Sequence, residues 1–360
     1  MVTDQETPAV TGSSGGGHEP LTTREGWRRF VDHTPAPPRL VEEAELATPG
    51  PQLAADLEEA RLAYHSQLAV IATPTVQDVT LAGRRLTVLN RHQLSARRGL
   101  IVTGGAGTGK TTAITQLGKA HELTLRRRNP TGAPALPVIY VTVPPAATPK
   151  MLAMEFARFL GLPLPARANL TDVTDAVCGV LIDLGCDLVL VDELHNLNLT
   201  TRAGAEVSDQ LKYFSERLPA TFVYAGIDLA RTGLFTGTRG QQIASRFATV
   251  TTAPFGYATT AQREQWHALV ATLEQTLHLR RHRPRSLVAL AEYLHHRTGG
   301  MIGSLSHLIR AAAIDAILTG AERITRTDLD AIRLDHAAEQ HRTTKPAPKT
   351  TRERRGAGAA

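Results

Sequence analysis

The chain is poor in aromatic residues: Phe, Trp and Tyr make up 4% of its 360 residues. Proteins that hold single-stranded nucleic acid stack bases on aromatic side chains, so this scarcity argues against that kind of binder. Cysteine is scarcer still, with only Cys178 and Cys186. Two thiols eight residues apart provide neither a disulfide framework nor a zinc site, and a reducing cytoplasmic setting is expected. No run approaches the roughly 18 uninterrupted apolar residues of a membrane span. The first residues, Met1–Glu6, are acidic and lead into no apolar segment, so no secretory signal is expected. No internal repeat is present.

Hydrophobic residues make up 42% of the chain, enough for a substantial core. The formal charge is +6 and the sequence pI about 9.6. That balance fits a nucleic-acid partner, and equally a soluble protein with a basic tail.

The texture changes along the chain. Residues 1–51 are read as a disordered N-terminal extension, rich in Gly, Ser and Thr at first and in Pro later. Residues 52–96 form an N-terminal helical segment. In it Ala54, Leu57, Ala60, Leu62, Ala63, Leu68 and Ile71 recur at helical spacing, and a second helix is predicted over 75–92. Residues 97–258 alternate apolar strands with helices. Strands are predicted at 99–103, 138–143, 187–192, 221–225 and 248–254, with helices at 111–122, 149–160, 171–184 and 206–218. Such alternation implies an α/β fold, a parallel sheet covered on both faces. Residues 259–340 read as helix only, at 259–279, 285–297, 302–319 and 326–338, hence a small all-α domain. Residues 341–360 carry Lys345, Lys349, Arg352, Arg354 and Arg355 and read as a basic disordered tail.

Two motifs carry chemistry. Gly104-Gly105-Ala106-Gly107-Thr108-Gly109-Lys110-Thr111 fits G-x-x-x-x-G-K-[ST], follows a predicted strand and opens a predicted helix. Its glycines let backbone N–H groups turn toward phosphate oxygens, and the helix adds its positive end. Lys110 is expected to reach the β- and γ-phosphates of ATP. The Thr111 hydroxyl is expected to ligate Mg²⁺, and Thr112 completes the binding loop. The second motif is the strand Leu188–Val191 ending in Asp192-Glu193. Asp192 is expected to hold the metal shell and Glu193 to polarise the attacking water. Metal binding alone needs only the first carboxylate, so the second points to hydrolysis.

Together these features resemble an AAA+ ATPase: a P-loop parallel sheet flanked by helices, with a small C-terminal all-α lid domain. Leu190-Val191-Asp192-Glu193-Leu194-His195-Asn196-Leu197 resembles the D-E-x-H-N-L run of the TniB family, ATPases that accompany transposases. Ala63–Gln67, Thr73-Pro74 and Gly299-Gly300-Met301-Ile302-Gly303 resemble that family too, over roughly residues 55–335. The resemblance implies an arginine finger acting on a neighbouring subunit. Ser245-Arg246-Phe247 matches that element, with Arg231 and Arg239 as competitors. Relatives carry Asn, Ser or Thr at the end of the fourth strand, where this chain has Tyr224-Ala225-Gly226. The water-sensing role is therefore unassigned, with Asp228 as its candidate. Gly303–Ser306 lacks the usual lid arginine, and Arg310 lies two turns further on. Hydrolysis is therefore expected to be slow or dependent on a partner.

The family reading implies a cytoplasmic homo-oligomer, a ring or filament on double-stranded DNA, that recruits or activates a transposase or integrase. Candidate DNA contacts are Thr201, Arg202 and Lys212, with the clusters Arg126–Arg128 and Arg280–Arg283. His195 has no second metal ligand at useful spacing and is read as structural or as a link between nucleotide and DNA. The alternatives are a helicase loader or initiator-like ATPase, or a signalling or defence switch. An initiator would carry a further DNA-binding domain, and only about 20 residues follow position 340.

Overall fold

A computed structural model describes residues 19–41, 51–67, 70–132, 134–163, 165, 167–197, 202–229, 241, 244–336 and 338–340. Five strands, β1 (Gly99–Gly104), β2 (Val138–Thr142), β3 (Leu188–Asp192), β4 (Thr221–Ile227) and β5 (Phe247–Thr252), form one parallel sheet in the order β2-β3-β4-β1-β5. Leu100, Ile101, Val138, Ile139, Val189, Leu190 and Val223 have no exposed surface. Burying each such side chain stabilises the fold by about 1.5–3 kcal/mol. The edge strand β5 is the exception: most of its residues are half-buried or exposed. The register places Gly104 opposite Ile227 and Thr252, and Asp192 opposite Thr142. The carboxyl ends of the strands therefore meet along one rim, where ligands of open α/β sheets bind.

Helices α4 (Lys110–Arg128), α5 (Pro149–Leu160), α6 (Leu170–Asp183) and α7 (Arg202–Arg217) connect the strands. Thr148 and Asn169 cap α5 and α6 by accepting first-turn N–H groups. Upstream, α3 (Pro74–Asn90) starts at a Thr73 cap with proline in its first turn. It ends at Asn90, whose amide donates to the Arg98 carbonyl and the Thr221 hydroxyl at 2.7 and 2.8 Å.

The stretch read as a disordered extension is corrected over 24–32, which form helix α1 (Arg24–Asp32). The low aromatic content hid its anchor. Trp27 is fully buried, donates from Nε1 to Glu122 at 2.9 Å, and lies over Gly118 of α4, where a Cβ would come within 2.7 Å of its ring. The rest of that stretch, 1–18 and 42–50, and the tail 341–360 lie outside the described residues.

The C-terminal helices α8 (Thr260–Gln275), α9 (Ala291–Thr298), α10 (Ile302–Leu318) and α11 (Arg326–Ala331) enclose a second core around Trp266, Leu287, Leu294, Leu305 and Leu308. Three are shorter than their periodicity predicts, and α8 ends at Gln275 rather than 279. A 3-10 turn at Val288–Leu290 precedes α9, and α11 stops where Ile332 turns extended and packs on the lid core.

The helical segment 52–96 divides between the two cores. Helix α3 packs on the sheet domain, with Val79 buried in its core. Helix α2 (Pro51–Ser66) packs on the lid through Leu62. Arg61 of α2 is 2% exposed and makes a two-pronged ion pair with Glu322, 2.8 Å on each arm, while Arg280 reaches Glu322 at 2.6 Å. Burial alone would raise the Glu322 carboxyl, but hydrogen bonds from Arg61 and the Arg280 backbone, with the two charges, hold it below its usual value. His65 accepts from the His278 N–H at 3.3 Å. Burial, then the neighbouring His278 and Arg61 charges, pushes His65 down to about 4.

Two outcomes follow for stability. Glu322→Ala strands two guanidinium groups and should cost about 3–5 kcal/mol in a denaturant titration. His65 binds a proton less readily folded than unfolded, so its contribution is complete above 6.5 and is lost as pH falls to about 4. Unfolding followed across that window should show a decline that His65→Gln flattens.

Candidate active site

The loop after β1 forms a cradle for an anion. Gly109, φ +88°, precedes helix α4, and no side chain caps the first turn, so its leading N–H groups remain available to an anion. At Gly107, φ +72°, an added Cβ would meet nothing within 4 Å, so the loop encloses open space. Thr108 turns inward instead. Its hydroxyl contacts Thr252 at the end of β5 at 2.6 Å and donates to the Gly105 carbonyl at 2.8 Å. That side chain fixes the loop and leaves only its backbone for a ligand. Lys110 is buried at 8% exposure and donates to the Gly105 carbonyl at 2.6 Å. Burial pushes its ammonium below the ordinary value, against the pull of Asp192, Glu193 and Asp228.

Asp192 ends β3 at the same rim. The Thr111 hydroxyl donates to Asp192 Oδ2 at 2.7 Å and the Tyr140 phenol to the same oxygen at 2.9 Å. The Glu193 N–H donates to Oδ1 at 2.8 Å. Burial, then the Asp192 charge, holds the Tyr140 phenol above its usual range, so it remains a donor. Glu193 adopts φ +58°, a left-handed conformation uncommon for a side-chain-bearing residue.

The cleft measures about 1100 Å³, counting space open to solvent. Its floor is the loop from Ala106 to Thr112, with Glu193 and Ile227 beside it. Its apolar wall comes from three separate places: Val70, Ile71 and Val76 before and in α3, Phe255 and Leu273, and Ile302 of the lid. The lid touches the loop directly. The Gly303 N–H donates to the Gly107 carbonyl at 3.2 Å, and a Cβ at 303 would stand 3.2 Å from that oxygen, so the lid and the loop leave little room for a side chain there. One turn on, the Ser306 hydroxyl lines the cleft, 5% exposed and without a hydrogen-bond partner.

The donor set fits Mg²⁺ with a phosphate ligand. Thr111 and Asp192 offer hard oxygens, and Mg²⁺ takes most of its coordination from phosphate and water. Among the described residues no group of three His, Cys, Asp or Glu side chains could cage a metal.

The other expected residues lie elsewhere. Arg246 immediately precedes β5, so it stands at the opposite end of the sheet from Thr252 and the loop, roughly 20 Å away at 3.3 Å per residue. It lines a separate cavity with Arg97, Arg98, Lys212 and Phe247. Lys212 is half-exposed and faces Glu216 at 4.0 Å. Arg202 opens α7, but its side chain, and Thr201, Arg231 and Arg239 altogether, lie outside the described residues. Two expected DNA contacts turn inward. Arg280 is committed to Glu322 and the Val41 carbonyl, and His282 sits 3.1 Å from Glu274. Arg126 pairs with Asp32 and Glu122. Arg310 donates to the His65 and Ser66 carbonyls at the end of α2 and is not aimed at the loop.

Sequence reasoning passed over Tyr140, Ser306 and the apolar wall. Tyr140 left one signal, a phenol inside an otherwise aliphatic strand run. Val70, Val76, Phe255 and Leu273 left no signal of a cleft wall, because only the fold gathers them.

The profile of the family described as "Bacterial TniB protein" matches residues 61–257. No curated protein sequence matches the chain. Among solved structures the chain is similar to the Orc1 protein of Aeropyrum pernix in complex with DNA, with TM-score 0.55 and 16% identity over 75% of this chain and 65% of that one. It is also similar to the Orc2 protein of Aeropyrum pernix (ADPNP–ADP complexes), with TM-score 0.53 and 15% identity over 73% and 69% of the two chains. A third is Cdc6p of Pyrobaculum aerophilum, with TM-score 0.50 and 16% identity over 73% and 67%. The chain spans slightly less than two thirds of the Orc1 chain's length. With more than half of its residues matched, the chain belongs to the TniB family, on the fold of AAA+ P-loop ATPases.

Proposed function

We propose that the chain is an Mg²⁺-dependent ATPase that assembles as a homo-oligomer on duplex DNA and recruits or activates a transposase there. The observation that carries the ATPase reading is the 2.7 Å contact between Thr111 and Asp192, with Glu193 lining the same cleft. Thr111 and Asp192 would hold Mg²⁺, which supplies charge neutralisation on the phosphates when bound. Lys110 and the backbone N–H groups of 105–111 bind the triphosphate. Glu193 takes a proton from the attacking water. The water oxygen bonds to the γ-phosphorus, the bond from phosphorus to the bridging oxygen breaks, and its electron pair leaves with ADP.

Arg246 serves the neighbour's site, since it lies too far from its own loop. A guanidinium there stabilises charge on the transferring phosphoryl group. The +6 charge, TniB membership and the likeness to an Orc1 protein held on DNA support the DNA reading. Arg202, Lys212 and Thr201 are its proposed contacts.

ATP turnover and electron microscopy, with and without duplex DNA, test the reading. ATP-dependent rings or filaments should form on duplex DNA and be absent for Lys110→Ala. DNA binding indifferent to ATP would contradict the DNA half. Tyr140→Phe removes one donor to Asp192 and should weaken Mg²⁺ stimulation about tenfold or more, with metal-free nucleotide binding unchanged, in a Mg²⁺ titration of turnover. Ser306→Ala removes a buried unpaired hydroxyl, so it should raise the Tm of the nucleotide-free protein and weaken binding of a fluorescent ATP analogue roughly tenfold.

A further inference from the structure

His195 sits in a 3-10 turn, Leu194–Asn196, that is pinned on both sides. Leu194 and Leu197 are each 2% exposed, and Asn196 donates to the Val143 carbonyl at 2.8 Å. The imidazole meets partners on two elements. The Ile227 N–H at the end of β4 donates to Nδ1 at 3.3 Å. In a neutral ring an accepting Nδ1 leaves the proton on Nε2. Nε2 stands 3.2 Å from Glu193 Oε2. The β4 backbone thus selects the tautomer protonated on Nε2, the nitrogen that stands within ion-pair distance of the Glu193 carboxylate.

Gly226 makes the room. A Cβ there would lie 3.0 Å from the His195 backbone nitrogen and 2.6 Å from a Leu229 methyl. Position 226 therefore has little room for a side chain, and the imidazole that follows β3 meets the end of β4 through the Ile227 N–H. Ile227 and Glu193, the two groups it joins, both line the nucleotide cleft.

We propose that His195 is the positioning residue for Glu193. It holds the carboxylate through Nε2–H and ties that hold to the end of β4, so a shift of β4 is felt at the group that polarises water. The proposal rests on the hydrolytic reading of Glu193. No proton passes through the imidazole: the water's proton goes to Glu193, and Nε2–H remains a donor throughout. A carboxylate free to rotate is misplaced by the distances that cost an enzyme orders of magnitude in rate.

The test uses the full-length protein with ATP, Mg²⁺ and duplex DNA, and measures kcat alongside the Kd of a fluorescent ATP analogue. His195→Ala should lower kcat roughly 10- to 100-fold with Kd within about twofold of wild type. His195→Gln, whose amide offers one acceptor and one donor, should recover most of kcat. Added to Glu193→Gln, His195→Ala should cause no further loss, because the pair acts as a unit. A kcat for His195→Ala within about twofold of wild type overturns the proposal, as does a Kd that worsens in step with kcat or a double variant whose losses multiply. Glu193→Gln with wild-type turnover, or a wild-type protein with none, overturns the hydrolytic reading and the proposal with it.

Discussion

One buried carboxylate organises the site. Asp192, 2% exposed, accepts hydrogen bonds from the Thr111 and Tyr140 side chains and from the Glu193 backbone. Those donors come from the first turn of α4, from β2 and from the end of β3. A buried charge needs such partners, since an unpaired one costs several kcal/mol. Satisfying Asp192 therefore fixes the loop, the neighbouring strand and the following residue in one arrangement. The same constraint places Glu193 beside the loop and lets the turn at 194–196 bring His195 to β4.

The cleft over the 104–111 loop is bordered by a lid held from two directions. Gly303 bonds the lid to that loop. Helix α2 lies on the lid while α3 lies on the sheet, so residues 70–76 run between the two bodies along the cleft wall. The Arg61–Glu322–Arg280 cluster fastens α2 to the lid, and Arg310 strengthens that seam. The position usually given to a lid arginine instead presents the Ser306 hydroxyl.

Much of this was legible in the sequence because it is local. The apolar runs of β1 to β4 marked buried parallel strands, and the glycine spacing at 104–111 marked the loop within one element boundary. Asp192 and Glu193 were legible from the strand they end. What escaped depends on long-range packing. Trp27 is one tryptophan in a polar segment, and its burial follows from Gly118 ninety-one positions later. The inward turn of Arg280 is set by Glu322, and its basic neighbours in sequence made it read as a DNA contact. The missing polar residue at the end of β4 was noticed, and so was His195, but His195 lies in the turn after β3 and its contact with the end of β4 becomes visible only in the fold.

The central claim is that Gly104–Thr111 and Asp192-Glu193 form one nucleotide site. A crystal structure with a non-hydrolysable ATP analogue and Mg²⁺ tests it most directly. The triphosphate should lie along the N–H groups of 105–111, with the metal at the Thr111 hydroxyl facing Asp192 and the γ-phosphate toward Glu193. A nucleotide seated instead in the cavity beside Arg97 and Arg246, or a metal held away from Thr111 and Asp192, would contradict the account.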